Sequence, residues 1–122
     1  MVPVTIHAVV YIAHPISGDV AGNLAAGRKF VLHAYRMGYA PVAPWITGCG
    51  VLDENNPDDR ALGLACDFAT VAACDQFWVC GDAEPVAASS GIRQELAVAL
   101  ARGLIRRRFI MSAGGLIQEV VV

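Results

Sequence analysis

Apolar residues run almost unbroken from Val4 to Ala13 and stop at His14-Pro15-Ile16-Ser17-Gly18-Asp19, a stretch with the Pro, Ser and Gly content of a turn. A continuous β-branched run of that length predicts a strand covered on both faces, as in a parallel sheet. From Ala21 to Met37 the pattern changes period. Leu24, Ala25, Val31, Leu32 and Tyr35 are separated by Arg28, Lys29 and Arg36 on other faces, which predicts an amphipathic helix ended by Gly38. A second strand over Tyr39 to Ala43 is stopped by Pro44, and the region from Ile46 to Asp59, rich in Gly, Asn, Asp and Pro, reads as a long loop beside a ligand site.

A second helix opens at Pro57 or Asp58, with Asp58 and Asp59 suited to its positive end, and runs to about Cys74. The short aromatic run from Asp75 to Gly81 predicts a third strand. A third helix over Ser89 to Arg102, a fourth strand over Arg108 to Ser112 and a doubtful fifth over Leu116 to Val122 complete the pattern. Arg106-Arg107-Arg108 reads as a solvated turn before that fourth strand, or as cations that meet phosphate across an interface. Alternating strands and helices predict an α/β fold, a flavodoxin- or Rossmann-like three-layer sandwich with a four- to five-stranded parallel sheet in a single domain over 1–122. In such folds ligands sit at the strands' C-terminal ends.

Composition narrows the classes. The chain has 122 residues, 56% of them hydrophobic and 16% charged, with a net charge of -2. That balance offers no basic surface for nucleic acid, and no apolar run is long enough to span a membrane. The start lacks the basic segment and cleavage pattern of a secretory leader, so a soluble cytoplasmic protein is expected. Cys49, Cys66, Cys74 and Cys80 form no C-x-x-C pair and have no nearby histidine pair. No metal or other cofactor is therefore expected, and all four read as reduced structural thiols.

The densest candidate chemistry lies in Ser89-Ser90-Gly91-Ile92-Arg93-Gln94-Glu95, which places a carboxylate just inside a helix that follows a strand. Serines and a glycine there supply an N-cap and open backbone N–H groups, a cradle for an anion or a sugar phosphate. The plainer reading makes Glu95 a capping-box residue, but three positions after Ser89 and Ser90 stand Ile92 and Arg93. Asp67 is a carboxylate among Ala, Leu, Val and Cys, costly to bury unless paired or employed, or else on an exposed face. Tyr11 at a strand end is either core or a partner of such a carboxylate. Trp45 either stacks on a base or covers the sheet, and His14 either titrates or shapes its loop.

The motifs Y-I-A-H-P-I-S-G, P-V-A-P-W, C-D-F-A-T-V-A-A-C-D and S-S-G-I-R-Q-E-L, in that order, resemble the nucleoside 2-deoxyribosyltransferase superfamily. That superfamily includes deoxynucleoside 5′-monophosphate N-glycosidases and small uncharacterised relatives, several of them phage-encoded. The resemblance runs from about Tyr11 to Gly103 and includes the eight-residue step from Asp67 to Asp75. It implies cleavage or transfer of an N-glycosidic bond, with Glu95 as nucleophile, Asp67 contacting and protonating the base, and Tyr11 holding Glu95. Ser89 and Gly91 match positions that contact the sugar 5′ end or its phosphate, with Ser90, Arg93, His14, Ser17, Gly18 and Trp45 around the substrate. Two carboxylates divided in this way are what a retaining glycosidase needs, provided Glu95 stays ionised and Asp67 is partly protonated. The chain departs from the monophosphate hydrolases where His14-Pro15-Ile16-Ser17-Gly18 replaces a loop with a phosphate-gripping arginine.

The competing functions are a non-catalytic nucleotide-binding module, with Ser89 to Arg93 cradling phosphate, and a purely structural interaction domain. The expected partner is a small nucleoside or nucleotide, with no nucleic acid and no membrane. The apolar excess, and the superfamily's habit of completing a site from a neighbour, lead to an expected homodimer or larger assembly through the Ala61 to Ala73 and Leu96 to Leu104 helices.

Overall fold

The computed structural model describes residues 3–122. Ten elements follow one another: β1 (Val9–Ala13), α1 (Val20–Arg36), β2 (Ala40–Val42), α2 (Pro44–Gly48), α3 (Pro57–Ala73), β3 (Gln76–Cys80), α4 (Ala83–Ala88), α5 (Ser90–Ala101), β4 (Ile105–Met111) and β5 (Ile117–Val120). The strands form one sheet in the order β2-β1-β3-β4-β5. The first four are parallel, whereas β5 runs antiparallel to β4. The expected α/β sandwich is thus present, with one correction: the sheet is mixed, because the turn at Ser112 to Leu116 is too short for a parallel crossover.

Alternation along β1 divides the core. Val10 and Ile12 face α1 and join Phe30, Ala34, Trp78, Cys80 and Phe109. Tyr11 and Ala13 face α3 and α5 and join Val71, Cys74, Phe77, Ile92 and Ala99. Successive strand residues point to opposite faces, so both layers draw on the same strands.

The helix boundaries have identifiable causes. Asp19 caps α1 by accepting from the Gly22 N–H at 3.1 Å, and Asn56 caps α3, whose first helical residue is Pro57. Gly38, at φ 86°, follows α1 and supplies the left-handed turn into β2.

Several expectations need correction. β1 begins at Val9 and not at Val4, because its neighbours β2 and β3 begin opposite Val9 and Val10; Val4 and Ile6 lie exposed beyond the paired region. Pro44 does stop β2, but it also opens the short helix α2, and α4 fills part of the expected loop between β3 and α5. Arg106, Arg107 and Arg108 are strand residues of β4, paired with Phe77, Trp78 and Val79, and not a turn. All four cysteines are free; Cys74 and Cys80 are buried, whereas Cys66 is exposed and so is not a structural thiol of the core.

Candidate functional site

The parallel strands end together, and β1 and β3 are adjacent although their connections leave to opposite sides. That is the switch point at which open α/β sheets place ligands. Tyr11 is the middle residue of β1 and not at its end, fully buried, its ring stacked on Phe77 with centroids 5.6 Å apart. Its hydroxyl donates to Oε2 of Glu95, which lies in the second turn of α5 and is only 6% exposed. Glu95 is buried because Ile92, Glu95 and Ala99 repeat at helical spacing on the face of α5 turned to the sheet.

Asp67 approaches from α3, which packs against α5. It is half-buried, and its charge raises the pKa of both Tyr11 and Glu95. Tyr11, Asp67 and Glu95 are therefore one electrostatic group. Burial pushes the Glu95 carboxyl up to about 7, against the Tyr11 hydrogen bond, which favours the charged form, and with help from Asp67. Burial pushes Asp67 up to about 6. The Tyr11 phenol is raised far out of the working range by burial first and the Glu95 charge second, so it remains a donor.

Both carboxyls are thus held above the ordinary carboxylate range. Glu95 is the more deeply buried of the two, and they titrate as a coupled pair.

Ser89 caps α5, its Oγ accepting from the Ile92 N–H at 3.2 Å. The N–H groups of Ser90 and Gly91 begin the helix and have no partner within it. A side chain at position 91 would meet no protein atom closer than the Ser89 Oγ at 3.8 Å, so the space over this end is open to a ligand. Arg93 turns back instead, donating to the Ala87 carbonyl at 2.7 Å.

His14 and Trp45 lie against α1, and Trp45 also packs on the cluster that contains Tyr11. The Trp45 indole donates to the Ile12 carbonyl at 2.7 Å, and its ring stacks on His14 at 6.1 Å. Gly27 of α1 is buried against that ring, which occupies the space a Cβ would need. Burial lowers the His14 pKa, and its Nδ1 lies 2.7 Å from the Pro15 carbonyl, the acceptor of that pair. Ser17 and Gly18 are exposed; the Ser17 carbonyl accepts from Asn23, and Gly18 takes a φ of 91°.

A hollow of about 170 Å³ at the switch point is lined by His14, Asn23, Gly81, Asp82 and Pro85 among others. Asn23 and Asp82 are candidate site residues that sequence reasoning missed. Asp82 directly follows Gly81 at the end of β3, and that position was its available signal. A larger hollow of about 600 Å³ lies beyond α5, and neither is lined by Tyr11, Asp67 or Glu95. The electrostatic group, not the larger hollow, identifies the candidate centre, since only it brings perturbed carboxylates together. Among the described residues no three His, Cys, Asp or Glu side chains converge as a metal site. No helix among them is long and apolar enough to cross a membrane.

Two solved structures share this fold. A 2-deoxyribosyltransferase from the psychrotolerant bacterium Bacillus psychrosaccharolyticus is 14% identical, with a TM-score of 0.64 over 94% of this chain and 77% of that one. A 2-desoxiribosyltransferase from Leishmania mexicana is 17% identical, with a TM-score of 0.54 over 92% and 79%. At these identities the likeness is one of fold. No curated protein matches the chain. A family model matches residues 8–109, from the residue before β1 through Phe109 of β4, and the chain belongs to that family, the Domain of unknown function (DUF7768).

Proposed function

We propose that the chain cleaves or transfers the N-glycosidic bond of (deoxy)nucleosides or their 5′-monophosphates. The observation that carries this reading is the buried Glu95 carboxyl, held by the Tyr11 hydroxyl beside Asp67. The fold shared with two 2-deoxyribosyltransferases supports it.

In this reading a Glu95 oxygen attacks the anomeric carbon as the bond to the base nitrogen breaks. The electron pair leaves with the base, and Asp67 supplies its proton. Water or a second base then attacks the same carbon, releasing Glu95 as carboxylate and returning a proton to Asp67. The reactive form needs the pair's shared proton on Asp67. Positive charge developing on the sugar favours ionised Glu95, and the Tyr11 hydrogen bond acts in the same direction. Ser89, Ser90 and Gly91 would receive the sugar's 5′ end at the open start of α5, with Arg93 at the rim. His14, Trp45, Ser17 and Gly18 bound the site on the α1 side.

Assembly into a homodimer or larger through α3 and α5 belongs to the same proposal; Leu62 and Leu100 on these helices are both more than half exposed.

Incubation with a panel of deoxynucleosides and their 5′-monophosphates, with chromatography for free base, tests the activity. Release of base from at least one member is expected. Saturable binding without release would favour the nucleotide-binding module instead.

A further inference from the structure

The outer strands of the sheet are packed on one face and open on the other. On the α1 side Met111 of β4 and Ile117 of β5 join the apolar cluster. On the opposite side α3 and α5 cover the centre of the sheet, and a hollow of about 600 Å³ lies between α4–α5 and β4–β5. Val79, Val86, Leu96, Ile110 and Val120 give it apolar walls. It is open to solvent along one side, and its volume is that of a site for a small molecule partly covered by protein.

Its charge is distinctive. Arg106 and Arg108 alternate with Arg107 along β4 and share the face of Phe77 and Val79, their register partners. Arg108 is anchored, one terminal nitrogen donating to the carbonyls of Val79 at 3.1 Å and Phe109 at 2.8 Å, which leaves the rest of its guanidinium fork available. Arg106 is exposed and makes no side-chain hydrogen bond among the described residues. Arg107 is engaged with Glu119, so the side-chain charges left to the hollow are two arginines against Asp82. No aromatic ring lines the hollow, so a nucleobase would find nothing to stack on.

We infer that this hollow binds an amphiphilic carboxylate, its head held by Arg106 and Arg108 and its hydrocarbon laid against Val79, Val86, Leu96 and Val120. Guanidinium forks match a carboxylate's two oxygens, and the apolar walls gain from covering by a chain. The site is separate from the candidate centre. Leu96 faces the hollow, while the preceding Glu95 faces Tyr11, about 100° around the helix.

Titration calorimetry with decanoate and with decanol, on the wild-type chain and on Arg106→Glu, tests the inference, with methyl NMR to locate the ligand. Decanoate is expected to bind one per chain in the micromolar range, at least roughly tenfold more weakly to Arg106→Glu, since a charged hydrogen bond contributes about that much. Decanol is expected to bind more weakly, and the shifted methyls are expected to be those of Val79, Val86, Leu96 and Val120. No saturation below millimolar decanoate, equal affinity for decanol, an unaffected Arg106→Glu, or shifts centred on Leu62 and Leu100 would overturn it. So would light scattering that showed a dimer with these wall methyls protected, since a second copy would then fill the hollow.

Discussion

The two faces of the sheet bury apolar clusters of the same size, seven residues each, yet they treat charge in opposite ways. On the α1 face Arg107 lies 4.9 Å from the Trp78 ring and 5.3 Å from that of Phe109, donates to the Tyr39 hydroxyl, and pairs with both carboxylate oxygens of Glu119. Its charge is matched on every side. On the α3–α5 face Glu95 is buried beside a second carboxylate, with Tyr11 as its hydrogen-bond donor and no cation acting on it. The first arrangement lowers the free energy of the fold. The second raises it, and such unmatched groups concentrate where chemistry is done.

Substitutions on the two faces should separate these roles. The largest effect is expected from Trp78→Ala, which empties the centre of the α1-face cluster, where Trp78 touches Phe109 and Tyr39. Urea unfolding should show a loss of about 3–5 kcal/mol. A loss below about 1 kcal/mol, at the level of a surface substitution, would deny that this face carries the stability.

Glu95→Gln should do the reverse. Because the folded-state pKa is raised from 4.5 to about 7, ionising Glu95 weakens the fold as pH rises through that window, and the penalty is complete above it. The variant should be more stable than wild type by roughly 2–3 kcal/mol at pH 8 and about equal near pH 4. A variant less stable at pH 8 would show that the ionised carboxylate is matched after all.

Gly27→Ala addresses the boundary between the faces. The new methyl displaces the Trp45 ring, at a cost of about 1–3 kcal/mol, and loosens His14 with it. Thermal unfolding reads the stability loss, and an unchanged Trp45 fluorescence spectrum would show that the ring had not moved. The smallest effect is expected from Glu119→Ala, about 0.5–1 kcal/mol and shrinking with added salt, because Glu119 is 44% exposed and solvent screens the pair.

The same contrast explains what was legible in the sequence. The order of elements and the α/β class follow from hydrophobic period, and the α1 and α3 boundaries from caps within a few residues of one another. Glu95 stood out as a carboxylate just inside a helix that follows a strand, and Tyr11 through the resemblance carried by its motif. What was hidden depends on pairing between distant segments. Arg106 to Arg108 resemble a turn until β3 is laid beside them, because alternation sends one arginine to each face in turn. The antiparallel β5 is set by the short turn at Ser112, and the depth at which Glu95 is buried by packing against β1, which local sequence does not encode. The contacts of Trp45 also waited on the fold, since Gly27 and the Ile12 carbonyl lie on other elements.

The most direct measurement of the central proposal is the mass of the protein trapped during turnover. A 2-fluoro-arabinosyl nucleoside slows breakdown of a glycosyl ester, because the fluorine disfavours positive charge on the sugar. After acid quenching and proteolysis, mass spectrometry of the wild-type chain should show one sugar residue on the peptide that contains Glu95. The adduct should be absent from Glu95→Gln, which should also release no base. Base release at the wild-type rate by Glu95→Gln, or a sugar adduct on another residue, would contradict the assignment of Glu95 as the nucleophile.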